Sequence, residues 1–264
     1  MAVMQISVLV DNMAGINTPA EHGISYLVEY DGKKILVDTG QSDLFKKNAH
    51  TMGLDLEDAD AIVLSHGHFD HGGGLQHLQG GRLICHPGCF VRRYKGSGKD
   101  NIGLKSSKYE ISRKFELIAT SVPYEISDKI VFAGEIPRKT DFESQTTPFV
   151  FDDGSPDFVK DDSAVIFVSE NGLFVVTGCG HSGIVNTIEQ AKNITGENRL
   201  LGIMGGFHLR EMDRQIMETI GYLKENNVKY VYPSHCMGLP ALAGLYNEFG
   251  FKQVATGETF ELPL

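Results

Sequence analysis

The stretch "AIVLSHGHFDHGGG" at residues 61–74 restricts this chain more than any other part of it. A short, continuously apolar run reads as a buried strand. It ends in three histidines and an aspartate, His66, His68, Asp70 and His71, packed into six positions. Residues two apart in an extended segment project to the same side, so His66 and His68 can point at one metal ion. Asp70 and His71 follow Phe69 onto a tightened turn, where Gly72 to Gly74 remove steric obstruction, and can face a neighbouring ion. Imidazole and carboxylate together suit zinc, with iron, manganese or nickel as alternatives. Four ligand-type side chains at this spacing, directly after a buried strand, read as a metal-binding loop rather than a polar surface turn.

The segments around this loop set the architecture. "QISVLVDN", "ISYLVEY" and "KKILVDTG" read as strands, with "DGK" as the turn between the last two. "SDLFKKNAHTMG" reads as a helix capped by Ser42 or Asp43 and stopped by Gly53, and "RLICH" as a further strand. The second half repeats this logic. "SAVIFVSENGLFVVTG" is a hairpin turning at "ENG". It is followed by the helix "SGIVNTIEQAKNITG", with Ser182 as its cap and Gly196 at its end. The strand "LLGIMGG", the helix "REMDRQIMETIGYLKEN", the strand "VKYVYPS" and the helix "GLPALAGLYNEFG" complete it. Strands followed by strand–helix alternation in each half predict an α/β fold with two sheets face to face and helices outside, a four-layer αβ/βα sandwich. The 264 residues read as a single domain, with residues 93–160 an irregular insertion or lid.

Charge and composition narrow the partners. Acidic residues outnumber basic ones 34 to 24, a formal charge of −10, which disfavours nucleic acid. The locally basic "RRYKGSGKDNIGLKSSKYEISRK" reads as a solvated excursion. No signal peptide or membrane-length apolar run is apparent, so no membrane partner is expected. Cys85, Cys89, Cys179 and Cys236 are too scattered for a disulfide framework, which points to a reducing cytoplasm. Cys85 and Cys89, with His86 between them, read as buried rather than metal-binding. The expected partner is a small molecule, and a homo-oligomer is compatible with the chain.

"SHGHFDHGGGL" resembles the His-x-His-x-Asp-His signature of the metallo-β-lactamase superfamily, and "ILVDTG" resembles its strand ending in Asp-x-Gly. The likeness runs from "VLVDN" to "YPSHC", with 93–160 fitting least well. It implies the same four-layer sandwich, with one or two metals at one end of the sheets and Asp38 steadying the metal loop. It also implies ligands from later loops. "VYPSHC" resembles the last of these and brings His235 to the metal of Asp70 and His71. "LFVVTGCGHSG" matches the strand that normally ends in Gly-Asp, the bridging carboxylate. Here Gly178-Cys179 stands in that place, followed by His181. Cys179 could ligate as a thiolate or be a small buried residue at a strand end. His181 is favoured as a ligand, because Gly178 and Gly180 free its loop to turn inward. The ordinary middle histidine is missing, and "VKDDS" leaves Asp161 or Asp162, or merely a solvated turn, in its place. "IMGGFHL" opens His208 onto the metal face, where it could bind substrate, donate a proton or ligate. "EHGIS" sets His22 in a loop that could flank the site, and "GCGHSG" opens a helix at Ser182 whose N–H groups could receive a substrate phosphate.

The set "EHGISYLVEY", "ILVDTGQSDLF", "FAGEIPRKTDFE", "TGCGHSGIVN", "GGFHL" and "YPSHC" is similar to a narrower subgroup, the dihydropterin–(ribofuranosyl)aminobenzene-phosphate synthases. Membership implies a transferase that joins a pterin methyl carbon to an arylamine nitrogen with loss of diphosphate. The broader resemblance implies a hydrolase acting on a phosphate- or ester-containing small molecule, with metal-activated water and Asp70 holding it in line. A non-catalytic pterin or nucleotide binder with a degenerate site is the third expectation. The superfamily's di-iron flavodiiron branch fits less well, since it carries Glu where His68 stands.

Overall fold

Val, Ile, Leu and Tyr dominate the first three strands, β1 (Val3–Val10), β2 (Ser25–Tyr30) and β3 (Lys33–Val37), which pair as an antiparallel meander. In the computed structural model, which describes residues 3–96, 98 and 100–263, these strands sit in a seven-stranded sheet. β4 (Ala61–Leu64), β5 (Arg82–Cys85) and β7 (Glu116–Ala119) extend it in parallel, and β15 (Thr259–Pro263) closes the far edge against β1. The second sheet runs β14 (Tyr230–Ser234), β13 (Leu200–Gly206), β12 (Gly172–Thr177), β11 (Ala164–Ser169), β9 (Ile130–Phe132) and β8 (Tyr124–Ser127). A two-stranded ribbon of β6 (Arg93–Lys95) and β10 (Phe149–Phe151) stands apart from both.

The period-2 alternation of side chains explains the layering. Ile6 and Val8 of β1 meet Phe174 and Val176 of β12 in one core between the sheets. Leu173 and Val175 face the other way, onto α4 (Ile184–Thr195), α5 (Arg214–Glu225) and α6 (Leu239–Phe249). Leu36, Ile62 and Leu64 pack beneath α1 (Leu44–Thr51) and α3 (Lys108–Lys114). The result is helix, sheet, sheet, helix. Each fully buried Val, Leu or Phe in these cores contributes about 1.5–3 kcal/mol. Among the described residues no helix is long and apolar enough to cross a membrane.

Two local expectations differ from the structure. Ser182 does not cap α4: Gly183 occupies the cap position without a side-chain bond, and Glu143 reaches in to accept from Val185 and Asn186 N–H, each at 2.9 Å. A carboxylate from a distant segment thus replaces the local hydroxyl at the positive helix end. Residues 93–160 are divided: β7 joins the first sheet, β8 and β9 join the second, and the β6–β10 ribbon with its flanks lies over the strand ends. The edge strand β15 has no counterpart in the sequence reading, although "TFELP" alternates buried and exposed residues.

Candidate metal centre

The loops after β3, β4, β12, β13 and β14 meet at one end of the sandwich and bring Asp38, His66 to His71, Cys179 with His181, His208 and His235 together. α2 (Phe69–Gly72) is the single turn that presents Asp70 and His71. Among the described residues seven non-glycine positions have positive φ, and three of them, Asp38, His208 and His235, belong to these loops. Such backbone is costly for L-residues and persists where the surroundings dictate it, often at functional sites. Gly178 is obligatory for the approach of β12: a Cβ there would fall 2.0 Å from Ser65 Oγ and 3.0 Å from Asp38 Oδ2. Gly180, at φ +65°, then turns His181 inward.

The donor atoms form two neighbouring groups. His66, His68 and His181 place one ring nitrogen each within 4.8 Å of one another, and one ring nitrogen each of His22 and His235 lies as close to a carboxylate oxygen of Asp70 and to the other. His66 Nε2 lies 2.9 Å from His68 Nδ1, and the His66 and His181 ring centres are 5.0 Å apart. His71 joins the two groups, with its ring 4.1 Å from that of His66 and 5.0 Å from that of His235. Cys179 Sγ sits 3.2 Å from His71 Nε2 and clusters with both His66/His71 and His235/Cys236. The thiol thus lies between the groups.

Hydrogen bonds fix the rings from behind. Asp38 accepts from Ser65 N–H, Ser65 Oγ and His71 Nδ1, each at 2.7 Å. His71 is left with Nε2 facing the cluster. Asn12 holds two rings at once, with opposite polarity: its Oδ1 accepts from His235 Nδ1 at 2.9 Å, and its Nδ2 donates to His22 Nδ1 at 3.2 Å. Both then turn Nε2 toward Asp70 Oδ2, His22 at 3.1 Å and His235 at 3.4 Å. Outer hydrogen bonds of this kind set tautomer and orientation in metal-binding histidines.

The two groups are poised differently. Burial and neighbouring imidazoles push His66 and His181 well below the ordinary histidine value, and burial with the Arg93 cation does so for His68. These three rings are neutral electron-pair donors. Burial alone would lower His71 too, but the charges of Asp70 and Asp38 overcome it and push it up to about 9. Against burial, which raises it, the surrounding His71, His22 and His235 hold the Asp70 carboxyl far below its ordinary value. Burial pushes the Cys179 thiol well up. Burial, helped by Arg210, brings His208 down to about 4, so at neutral pH it is an uncharged imidazole and not a cationic acid.

A divalent cation fits this donor set. His68 Nε2 and His181 Nε2 are buried without a hydrogen-bond partner, as expected of nitrogens reserved for a ligand. Three neutral imidazoles on one side, and carboxylate, imidazole and thiol on the other, are zinc-type donors that iron also accepts.

Other residues singled out in the sequence lie elsewhere. Ser182 is fully buried, and its N–H donates to Asp162 at 2.8 Å, so it offers nothing to the cavity. Burial raises Asp162 to about 6. Asp161 is also buried: it accepts from Gly67 N–H at 2.8 Å and from Arg93 at 2.8 Å. Both acids brace the loops from outside the ligand groups. His86 accepts from Gly88 N–H next to buried Cys85 and Cys89, a structural arrangement. The sequence reading missed Asn12, visible only as the end of "VLVDN", and Arg93, hidden within a basic run. The Arg93 guanidinium is buried between Asp157 and Asp161.

A cavity of about 410 Å³ opens over the groups, lined by His22, Asp70, His208 and His235. Phe149 covers one side, its ring 4.9 Å from His68 and 5.5 Å from His181.

A family model described as the metallo-beta-lactamase superfamily matches residues 19–194. The chain is 34% identical to an uncharacterized protein of Methanocaldococcus jannaschii, over 94% of this chain and 97% of that one. It is 31% identical to the 7,8-dihydropterin-6-methyl-4-(beta-D-ribofuranosyl)-aminobenzene-5'-phosphate synthase of the same organism, over 97% and 95% of the two chains. Among solved structures it superimposes on Tm1679, a metal-dependent hydrolase of the beta-lactamase superfamily, with a TM-score of 0.84 at 29% identity and 99% coverage of both chains.

Proposed function

The chain belongs to the metallo-beta-lactamase superfamily, and from that premise we propose that it is a metal-dependent hydrolase of a phosphate- or ester-containing small molecule. The observation that carries this reading is the pair of donor groups facing one cavity, with Asp70 at its wall. His66, His68 and His181 would hold one ion, and Asp70, His71 and His235 a second, with Cys179 between. Divalent ions there would supply Lewis acidity, polarising a carbonyl or phosphoryl oxygen and bringing the pKa of a water to about 7 in the case of zinc.

The chain's own residues do the rest. Asp70 stays ionised because His22, His71 and His235 surround it, and its free lone pairs can orient a nucleophile. His208, neutral at the rim, can donate one hydrogen bond to substrate or accept a proton from it. Phe149 and the ribbon behind it limit the access of bulk water.

The likeness to a named synthase supports a second reading, a transferase that joins a pterin-like group to an arylamine. Incubation of zinc-loaded protein with phosphodiester, phosphomonoester and lactone probes in water decides between them. Turnover that His68→Ala abolishes supports the hydrolase. Turnover only when a pterin diphosphate and an arylamine are supplied together supports the synthase. Purified protein without metal, and activity indifferent to His68→Ala, would leave a binding protein.

A further inference from the structure

The wall of the cavity carries two cations that the metal chemistry does not use. Lys95 ends β6, and in the ribbon it pairs directly opposite Phe149 of β10. Directly opposed residues of an antiparallel pair share a face. Phe149 leans on His68 and His181, so Lys95 overlooks the same space and lines the same cavity. Arg210 lines it from the loop after β13, two residues past His208, where Gly238 N–H fixes the backbone by donating to Leu209 O at 2.8 Å. Both charges bear on His208.

Their surroundings are unlike those of other basic residues. Among the described residues neither Lys95 nor Arg210 pairs with a carboxylate, whereas Arg93 and Arg214, close to them in sequence, do. The chain is acidic overall, yet among the described residues the one carboxylate lining this cavity is Asp70, already engaged by His22 and His235. A pocket that in an acidic protein holds a single carboxylate, itself already paired, and keeps a guanidinium and an ammonium on its wall, is suited to an anion.

We propose that the substrate carries two anionic groups: a reacting group over the metal-ligand histidines, and a second, phosphate-type oxyanion held by Lys95 and Arg210. This rests on the hydrolase reading of the same cavity and narrows its substrate class to small molecules bearing a phosphate remote from the bond that breaks. Lys95 and Arg210 are then specificity-determining residues. The ammonium approaches as a point charge, and the guanidinium offers a two-pronged donor.

Two arms test this separately. In the first, inorganic phosphate is titrated into chelator-treated, metal-free protein and followed by amide chemical shifts. The wild type is expected to show saturable shifts near residues 95 and 210 that weaken roughly tenfold or more in the Lys95→Ala/Arg210→Ala double variant. Absence of such shifts in the wild type, or their persistence in the variant, overturns the proposal. In the second, zinc-loaded protein is assayed on thymidine 5′-(4-nitrophenyl phosphate) and on its 3′-phosphorylated counterpart. The extra phosphate is expected to lower KM about tenfold in the wild type, an advantage lost in the double variant and in high salt. Equal KM values in the wild type, or an advantage that survives in the variant, count against it. Inactivity toward both probes would count against phosphodiester hydrolysis alone, and the phosphate titration still decides the anion site.

Discussion

His66, His68 and His181 form a pocket of three uncharged rings, while beside them Asp70, His71 and His235 are threaded with acids and outer hydrogen bonds. The first group would bind a cation through lone pairs that no proton contests near neutral pH. In the second, Asp38 and Asp70 stabilise a proton on His71, so a cation must displace it. Two neighbouring sites made from the same residue types thus differ in what they require before a metal enters. The three-imidazole group is ready-made; the acid-rich group is gated by protons.

The largest break in this comparison comes from His68→Ala. It removes one of three donors from the ready-made group and is expected to lower metal affinity there by more than about 100-fold, beyond the effect of losing an orienting partner. Metal content after dialysis would read this, with the other group keeping its ion. Arg93→Met is aimed at the scaffold common to both groups. It strands Asp157 and Asp161 as buried charges and should cost about 3–5 kcal/mol of stability in denaturant unfolding. A loss within 1 kcal/mol would mean the pair is not holding the ribbon against the metal loop.

Asn12→Ala sharpens the contrast, because it unties His235 and His22 while touching none of the three imidazoles. A loss of about 10–100-fold in affinity, confined to the acid-rich group, is expected from competition titrations with a chromophoric chelator. The smallest effect is that of a single pH unit. Affinity at the acid-rich group should rise by about tenfold per pH unit up to the His71 value of about 9, whereas the three-imidazole group should be level above neutrality. Stability of the metal-free protein sets His71 apart from the depressed rings, which include His235, brought down to about 4 by burial, as well as the three imidazoles. The His71 contribution is complete below the unfolded histidine value of 6.5 and is lost as pH rises to about 9. The depressed rings penalise folding as pH falls below 6.5. Parallel pH profiles for the two groups would erase the distinction.

Much of the fold is legible in the sequence alone. A buried strand followed by His66-x-His68-x-Asp70-His71 marks a candidate metal loop locally, because extended backbone puts His66 and His68 on one side. The layers were readable for the same reason: the period of apolar residues in β1, β11 and β12 leaves few alternatives. His181 and His235 were found through resemblance, and the structure brings them to the cluster. What escaped depends on contacts between residues far apart in the chain. Glu143 crosses from the ribbon's flank to cap α4, Arg93 finds Asp161, and Asn12 reaches His235 across 223 positions. No local pattern marks a residue whose role is to meet a distant one. Ser182 was misjudged for the complementary reason. It has the composition of a cap, but a stronger carboxylate cap arrived from elsewhere.

The most direct test is anomalous diffraction, at the zinc, iron and manganese edges, from crystals of protein purified without chelator. The account predicts a peak coordinated by His66, His68 and His181, and a second beside Asp70, His71 and His235 with Cys179 in reach. Rings found splayed apart, with no anomalous peak within bonding distance of His66 and His68 even after soaking in those metals, would contradict it.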